Sequence, residues 1–349
     1  MKIINGYKPL FFLFWCVAVQ AENNHAWTSV AWTWLFSKQF SEVEQQQAVT
    51  RDQLVLSKYD VPRFTQLLFS FNAKRQGTLS FYVSVQDAKS GIWSRWFRAL
   101  DWGTSIQQSY KDASIGQTSY HHVRLEIPSG QYASAFRVKV APKEGARLSQ
   151  VKALYVCVCN KEHFEHEYAK QVLKGRPTVI LNDVPAQSQM ELAHERANHM
   201  CSPTSTSMLV GFLLGQTVKP LDFAVQVYDT GLDSFGSWPF NTAHAYECCP
   251  THAFWVMRLP SFVDLYNRVA QGIPVVVSVR GPLQGAAKAY ESGHLLVVMG
   301  IDTKHKKVLC HDPAFESDDR TAVSYDVQDF INAWERSHRL AYIAETLTA

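Results

Sequence analysis

The chain has 349 residues, 46% of them hydrophobic and 19% charged, a composition that suits packed globular cores and excludes a disordered or fibrous chain. Its length is generous for one core and fits two. The formal net charge is +3, and setting aside the first 21 residues, which hold two lysines and no acid, leaves 32 basic against 31 acidic side chains. Charge therefore selects no partner, and the absence of an Arg/Lys-rich block interleaved with aromatics argues against nucleic acid.

At the N-terminus, Lys2 and Lys8 are followed by an apolar run from Leu10 to Val19 and a small residue at Ala21. This reads as a secretory signal peptide over residues 1–21, cleaved after Ala21, because the run is too short to span a bilayer. Trp15 ahead of Cys16 does not suit lipoprotein processing. The expectation is an exported protein, secreted or periplasmic, without a membrane segment after cleavage. Six of the seven cysteines would remain, in a compartment that permits disulfides.

From about Trp32 to Cys159 the chain reads as strands at Phe64–Phe71, Thr78–Val85, Ile92–Leu100, Val123–Ile127, Ala135–Val140 and Val151–Val158. β-Branched and aromatic residues dominate, turn residues bound each run, and Phe136, Val138 and Val140 alternate. The fold class expected for residues 22–160 is an antiparallel β-sandwich, jelly-roll-like. Residues 161–175 are charged and read as a linker that can hold one helix.

The remainder, 176–349, mixes elements in an α+β pattern. A helix is expected at Pro203–Leu214, a Gly/Ser/aromatic loop at Asp229–Asn241, and a second helix at Ser261–Gln271. Strands at Pro274–Val279, Leu295–Ile301 and Lys307–His311 follow, then a helix at Val327–Trp334.

The chemistry concentrates around Cys201. Ser202 is the expected N-cap of the first helix and Pro203 fits its first turn, so Cys201 sits at a helix N-terminus, where the macrodipole and free amides favour a thiolate. A buried cysteine preceding a capped helix would look the same. His294 is the best base, delivered by Ser292-Gly293 to the start of an apolar strand. If the hairpin turns through Asp302-Thr303-Lys304, Val298 faces Val308, Leu296 faces Cys310 and His294 faces Asp312, which sets a carboxylate beside the imidazole. A register shifted by one would send Asp312 to the other face. An oxyanion donor is also needed, and Gln189, Gln187 and Asn198 could each supply an amide alongside the Cys201 N–H.

These residues resemble the double-glycine-leader (bacteriocin-processing) peptidase-like proteins of the papain-like clan. The matching pieces are Val184-Pro185 with Ser188-Gln189, Cys201-Ser202-Pro203-Thr204-Ser205, Trp238-Pro239-Phe240-Asn241-Thr242-Ala243, Gly272-Ile273-Pro274-Val275, Ser292-Gly293-His294-Leu295-Leu296-Val297-Val298 and Asp312-Pro313, in order across about residues 176–345. The resemblance implies a papain-like α+β cysteine peptidase domain with Cys201, His294 and Asp312 as triad and Gln189 as oxyanion residue. It implies a peptide, protein or peptidoglycan-like substrate and no metal or organic cofactor. Better-known members carry Cys-Gly-Pro and are fused to transporters; the Cys201-Ser202-Pro203 variant resembles a secreted two-domain bacterial branch, so leader processing is not carried over. Trp93-Ser94-Arg95-Trp96-Phe97 resembles the β domain of that branch.

Other readings compete. The same triad could serve a transpeptidase or deamidase, and the fold could belong to a non-catalytic exported binding protein. Trp93, Trp96 and Trp102 could form a carbohydrate-contacting face or simply fill a core. His244, Cys248, Cys249 and His252 match no common zinc spacing. His163 and His166 among Glu162, Glu165 and Glu167 suit a solvated linker face, and Cys157 and Cys159 suit core packing or bridges to Cys248, Cys249 or Cys310.

Overall fold

The computed structural model describes residues 31–41, 44, 52–114 and 116–347. The segment read as a signal peptide lies outside the described residues.

Ten strands build the first half: β1 (Thr33–Gln39), β2 (Leu54–Lys58), β3 (Gln66–Ala73), β4 (Thr78–Asp87), β5 (Phe97–Gly103), β6 (Gln107–Ser109), β7 (Ser119–His121), β8 (Arg124–Glu126), β9 (Ala133–Lys143) and β10 (Val151–Cys159). They form two antiparallel sheets of five, ordered β1-β10-β3-β8-β7 and β2-β9-β4-β5-β6. Between the sheets, Phe71 and Phe69 of β3 stack on Phe81 of β4 with centroids 4.1 and 5.9 Å apart, and Phe36 meets Phe136 at 5.5 Å. The strand expected at Ile92–Leu100 begins later, at Phe97, because Trp93 belongs to a bridge with Gln86 outside the strand. Trp102 is a core residue, 1% exposed, with Arg75 3.8 Å above its ring.

The second half contains β11 (Val179–Ile180), β12 (His252–Arg258), β13 (Val275–Gly281), β14 (Tyr290–Asp302), β15 (Lys307–His311), β16 (Ala322–Asp326) and β17 (Leu340–Thr346), with helices at Cys201–Leu214, Pro220–Val227, Trp238–Cys248, Phe262–Ala270 and Val327–Glu335. One antiparallel sheet runs β12-β17-β13-β14-β15-β16, and β11 pairs with β14. Ser261 caps the Phe262 helix by accepting the Asp264 amide, and Asp326 caps the Val327 helix through the amides of Gln328 and Asp329. The loop expected to reach Asn241 ends earlier, since Trp238 with Pro239 opens a helix, a position where proline's missing N–H is harmless. The Cys201 helix is buried on most of its circumference, which explains why Ser202 through Gly211 show no amphipathic stripe.

All eight residues of β3 are buried because both of its faces are covered. Phe69 and Phe71 face the sandwich interior, while Ser70 and Asn72 face β12, the edge strand of the sheet in the second half. Asn72 donates to Phe254 O at 2.7 Å and accepts from Phe254 N at 3.1 Å. Ser70 Oγ accepts from Val256 N at 3.0 Å, and Thr33 Oγ1 donates to Arg258 O at 3.1 Å. Side chains of the sandwich thus satisfy the outward backbone groups of an edge strand, as a further strand would otherwise do. Tyr155 stacks on Trp255 at 5.0 Å and Trp102 on Phe240 at 5.7 Å, and the chain from Ala31 onward forms one compact unit.

Residues 161–175 hold a single 3₁₀ turn, Lys161–His163, and a short helix, Ala169–Val172. His166 is exposed, as a solvated face requires, yet its Nδ1 lies 2.7 Å from Glu335 Oε2, and the Glu167 amide donates to Glu335 Oε1 at 2.9 Å. Among the described residues no helix is long and apolar enough to cross a membrane.

Candidate active site

Cys201 is the first residue of its helix. The expected cap at Ser202 is not there: Met200 is the N-cap and makes no side-chain cap, while Ser202 is the second helical residue with its hydroxyl 2.8 Å from the Tyr342 hydroxyl. Buried Tyr342 offers Ser202 a partner inside the fold, which draws the hydroxyl away from the helix end. Thr204 makes the first backward amide bond, to Met200 O at 3.0 Å, and Pro203 has no N–H. The amides of Cys201 and Ser202 therefore stand at the helix mouth without an intrahelical acceptor. One turn along the same face, Ser205 Oγ donates to Leu295 O at 3.0 Å, locking the helix to the strand residue after His294.

His294 is 4% exposed on β14 and pairs with Val279 of β13; Gly293 before it takes φ +91°, a value open chiefly to glycine. Its Nε2 lies 2.7 Å from Asp312 Oδ1. The expected hairpin register is corrected: Val298 faces Cys310 and Val297 faces His311, not Val308 and Leu309. The turn is longer, since Asp302 pairs with Lys307 and Thr303–Lys306 form the loop. That even loop alone would have put Asp312 on the wrong face. A bulge at Met299, between the Val298–Cys310 and Gly300–Leu309 pairs, adds one residue and restores the parity, so His294 and Asp312 meet diagonally just beyond the last pair.

Asp312 is fully buried and saturated. Oδ1 takes His294 and the Ala314 amide at 3.0 Å; Oδ2 takes the hydroxyls of Tyr290 at 2.7 Å and Tyr325 at 2.6 Å. Burial pushes its carboxyl upward, but the His294 charge and these donors outweigh it and hold the group below its ordinary value. Burial likewise works against the His294 imidazolium, yet the Asp312 charge and hydrogen bond, followed by the bond to Cys201, raise it to about 10. The Cys201 thiol is pushed up by burial and pulled further down by His294 and by the Leu295 amide, for a net lowering. With Nε2 committed to Asp312, Nδ1 is the ring nitrogen left for the sulfur. Sequence reasoning missed Tyr290, Tyr325 and Tyr342, which carry no local motif.

Of the three amides considered for the oxyanion, Gln187 is spent elsewhere, donating to Val218 O at 2.8 Å and accepting from Ser207 Oγ at 2.9 Å. Gln189 and the exposed Asn198 line the same cavity of about 650 Å³ as Cys201 and His294. Gln189 is 2% exposed; Nε2 donates one hydrogen to Ala197 O at 3.1 Å and keeps the other, and Oε1 is without a partner.

The cluster of His244, Cys248, Cys249 and His252 does not line this cavity. His244 pairs with Glu247 at 3.0 Å and with Cys248 at 3.6 Å, whereas Cys249 contacts His252 at 3.3 Å. No group of three or more metal-ligand types is arranged to hold an ion among the described residues. Cys157, Cys159, Cys201, Cys248, Cys249 and Cys310 are all free thiols, and Cys157 and Cys159 are both buried.

Elongated antiparallel strands, a buried central helix opening on a cysteine and a histidine across from it define a papain-like cysteine peptidase fold. Residues 181–342 match the Peptidase_C39 like family. Two solved structures are similar. One is a putative C39-like peptidase from Bacillus anthracis, 20% identical, covering 49% of this chain and 100% of its own, with a TM-score of 0.37. The other is xylellain, a cysteine protease from Xylella fastidiosa, 13% identical, covering 53% of this chain and 91% of its own, with a TM-score of 0.34. No curated protein matches the chain.

Proposed function

We propose that the chain is an exported cysteine peptidase or amidase that cleaves an amide through a covalent acyl-enzyme. The observation that carries this reading is the connected row Cys201, His294, Asp312, with the thiol at a helix mouth, hydrogen-bonded to an imidazole that is itself held by a buried, fully satisfied carboxylate.

The Cys201 thiolate attacks the carbonyl carbon, forming a C–S bond as the C=O π electrons move to oxygen. The Cys201 amide and the free Nε2 hydrogen of Gln189 receive that oxyanion. His294 passes its Nδ1 proton to the leaving amine as the C–N bond breaks, then accepts a proton from the water that hydrolyses the thioester. Asp312 remains ionised and fixes the tautomer throughout. Peptides, proteins or peptidoglycan-like fragments are the substrates this chemistry fits.

The test is stoichiometric alkylation near neutral pH, with the site mapped by mass spectrometry, followed by profiling of peptide and peptidoglycan fragments against Cys201→Ala. A single privileged thiol at Cys201 and a product lost in the variant are expected. Six thiols of equal reactivity would favour a non-catalytic binding protein instead. Export is tested on the mature protein, whose first residue should be Glu22.

A further inference from the structure

The cavity at Cys201 is not built by the peptidase half alone. His122, Val123 and Arg124, at the turn between β7 and β8 of the sandwich, form part of its wall, and they lie outside the stretch that matches the peptidase family. His121 pairs with Arg124, so the turn has only two residues, His122 at φ 45° and Val123 at φ 55°. This is the φ pattern of a type I′ turn, which Asn-Gly adopts readily and a β-branched residue resists. Such backbone persists only where the surroundings over-determine it, and it gathers at functional sites. Here Val123 is buried, 3% exposed, against the cavity, while Arg124 projects beside Trp238, 5.9 Å from its ring centroid.

The charge at this wall is unbalanced. Among the described residues Glu126 is the only carboxylate bonded to Arg124, at 2.7 Å from Nε, and it is shared with Lys161 at 2.8 Å and with the Gln66 amide at 2.6 Å. Both Nη groups of Arg124 are without a protein acceptor among the described residues. Across the cavity Lys288 has no carboxylate partner among them either, and Glu291 is the only acid on the lining. The local field is felt by His122, whose imidazole is held below its ordinary value by burial and by the Arg124 and Lys111 charges.

We propose that the β7–β8 turn is a substrate-specificity element of the amidase site, and that Arg124 receives a carboxylate of an acidic peptide, carried either on a side chain or at a free C-terminus. A guanidinium presenting two free Nη amino groups is the group best shaped to take a carboxylate. The inference rests on the function proposed above, and its test separates the two.

The probes are N-iodoacetyl dipeptide amides bearing glutamate or glutamine, together with the glutamine probe carrying a free C-terminal carboxylate. For each, the saturable rate of Cys201 alkylation is measured on the full chain at low ionic strength. The acidic probes should react at least 10-fold faster than the neutral one, and the member of the pair that does so identifies which carboxylate is read. Arg124→Gln should bring that ratio toward one, and Arg124→Lys should retain part of it; near-ultraviolet circular dichroism checks that both variants fold. If Cys201 labels saturably without acid preference, or keeps the preference in Arg124→Gln, the inference is overturned and the function stands. If Cys201 is not a privileged thiol, both fall.

Discussion

The phenol ring of Tyr290 lies nearly parallel to the His294 imidazole, 17° between planes and 4.1 Å between centroids, while its hydroxyl donates to Asp312 Oδ2 at 2.7 Å. One side chain therefore covers the His–Asp hydrogen bond and fixes both of its members. The shield keeps water from competing for the carboxylate, which preserves its effect on the imidazole in a low-dielectric setting. Burial and the Asp312 charge also raise the Tyr290 hydroxyl, so it stays a donor across the working pH range.

Tyr290→Phe keeps the stack and removes one of four hydrogen bonds to Asp312. A destabilisation of about 1.5–3 kcal/mol is expected, the range for a bond to a charged group, measured by denaturant unfolding. Tyr290→Leu removes the stack too and should reduce turnover further than Tyr290→Phe. Equal turnover in the two variants would show that the ring has no part in holding the imidazole.

The pH dependence follows from the opposed shifts of Cys201 and His294. Alkylation should rise as pH climbs through a thiol value below the ~8.5 of a free cysteine, and turnover should fall again as the imidazolium is lost near 10. His294→Ala should move the labelling curve toward higher pH and abolish turnover. Because the folded-state imidazole value is raised above the ~6.5 of an unfolded chain, its stabilising contribution is full below that pH and is lost as pH rises through about 10. Thermal unfolding across this window should show the loss, and His294→Ala should flatten it.

Gln189→Ala separates oxyanion binding from thiolate formation. Alkylation by a small reagent builds no oxyanion and should be almost unchanged, whereas amide hydrolysis should drop by roughly 100-fold or more. Parallel losses in both assays would instead assign the residue to holding Ala197, the carbonyl it already binds.

Asn72 satisfies both backbone groups of Phe254 on the edge of the peptidase sheet. Asn72→Ala leaves a buried donor and acceptor unpaired and should cost about 2–6 kcal/mol, on the basis of about 1–3 kcal/mol for each orphaned group. Expression of residues 176–349 alone exposes the whole β12 edge and should yield a chain that self-associates, read by size-exclusion chromatography. A monomeric, stable fragment would show that the sandwich is dispensable for that edge.

Local pattern was enough for much of this protein. Alternation and β-branched content marked six sandwich strands, helix-start chemistry put Cys201 at a helix mouth, and Ser292-Gly293 singled out His294, although β14 begins earlier than expected, at Tyr290. These features depend on near neighbours in the chain, and a period of two or a capping position is visible there. The hairpin was legible only in parity: Asp312 reaches His294, but through a four-residue loop and a bulge at Met299 that no residue type at those positions announces. The Ser202 hydroxyl was misassigned because its competitor, Tyr342, is 140 residues away. Only the tertiary structure could bring Tyr290 and Tyr325 onto one carboxylate, lay Ser70 and Asn72 along the β12 edge, and turn His122–Arg124 into the cleft. Each of these depends on which faces of separate sheets meet. Burial of large apolar surfaces settles that choice for the whole molecule at once, while the periodicity of any one strand constrains only its own two faces.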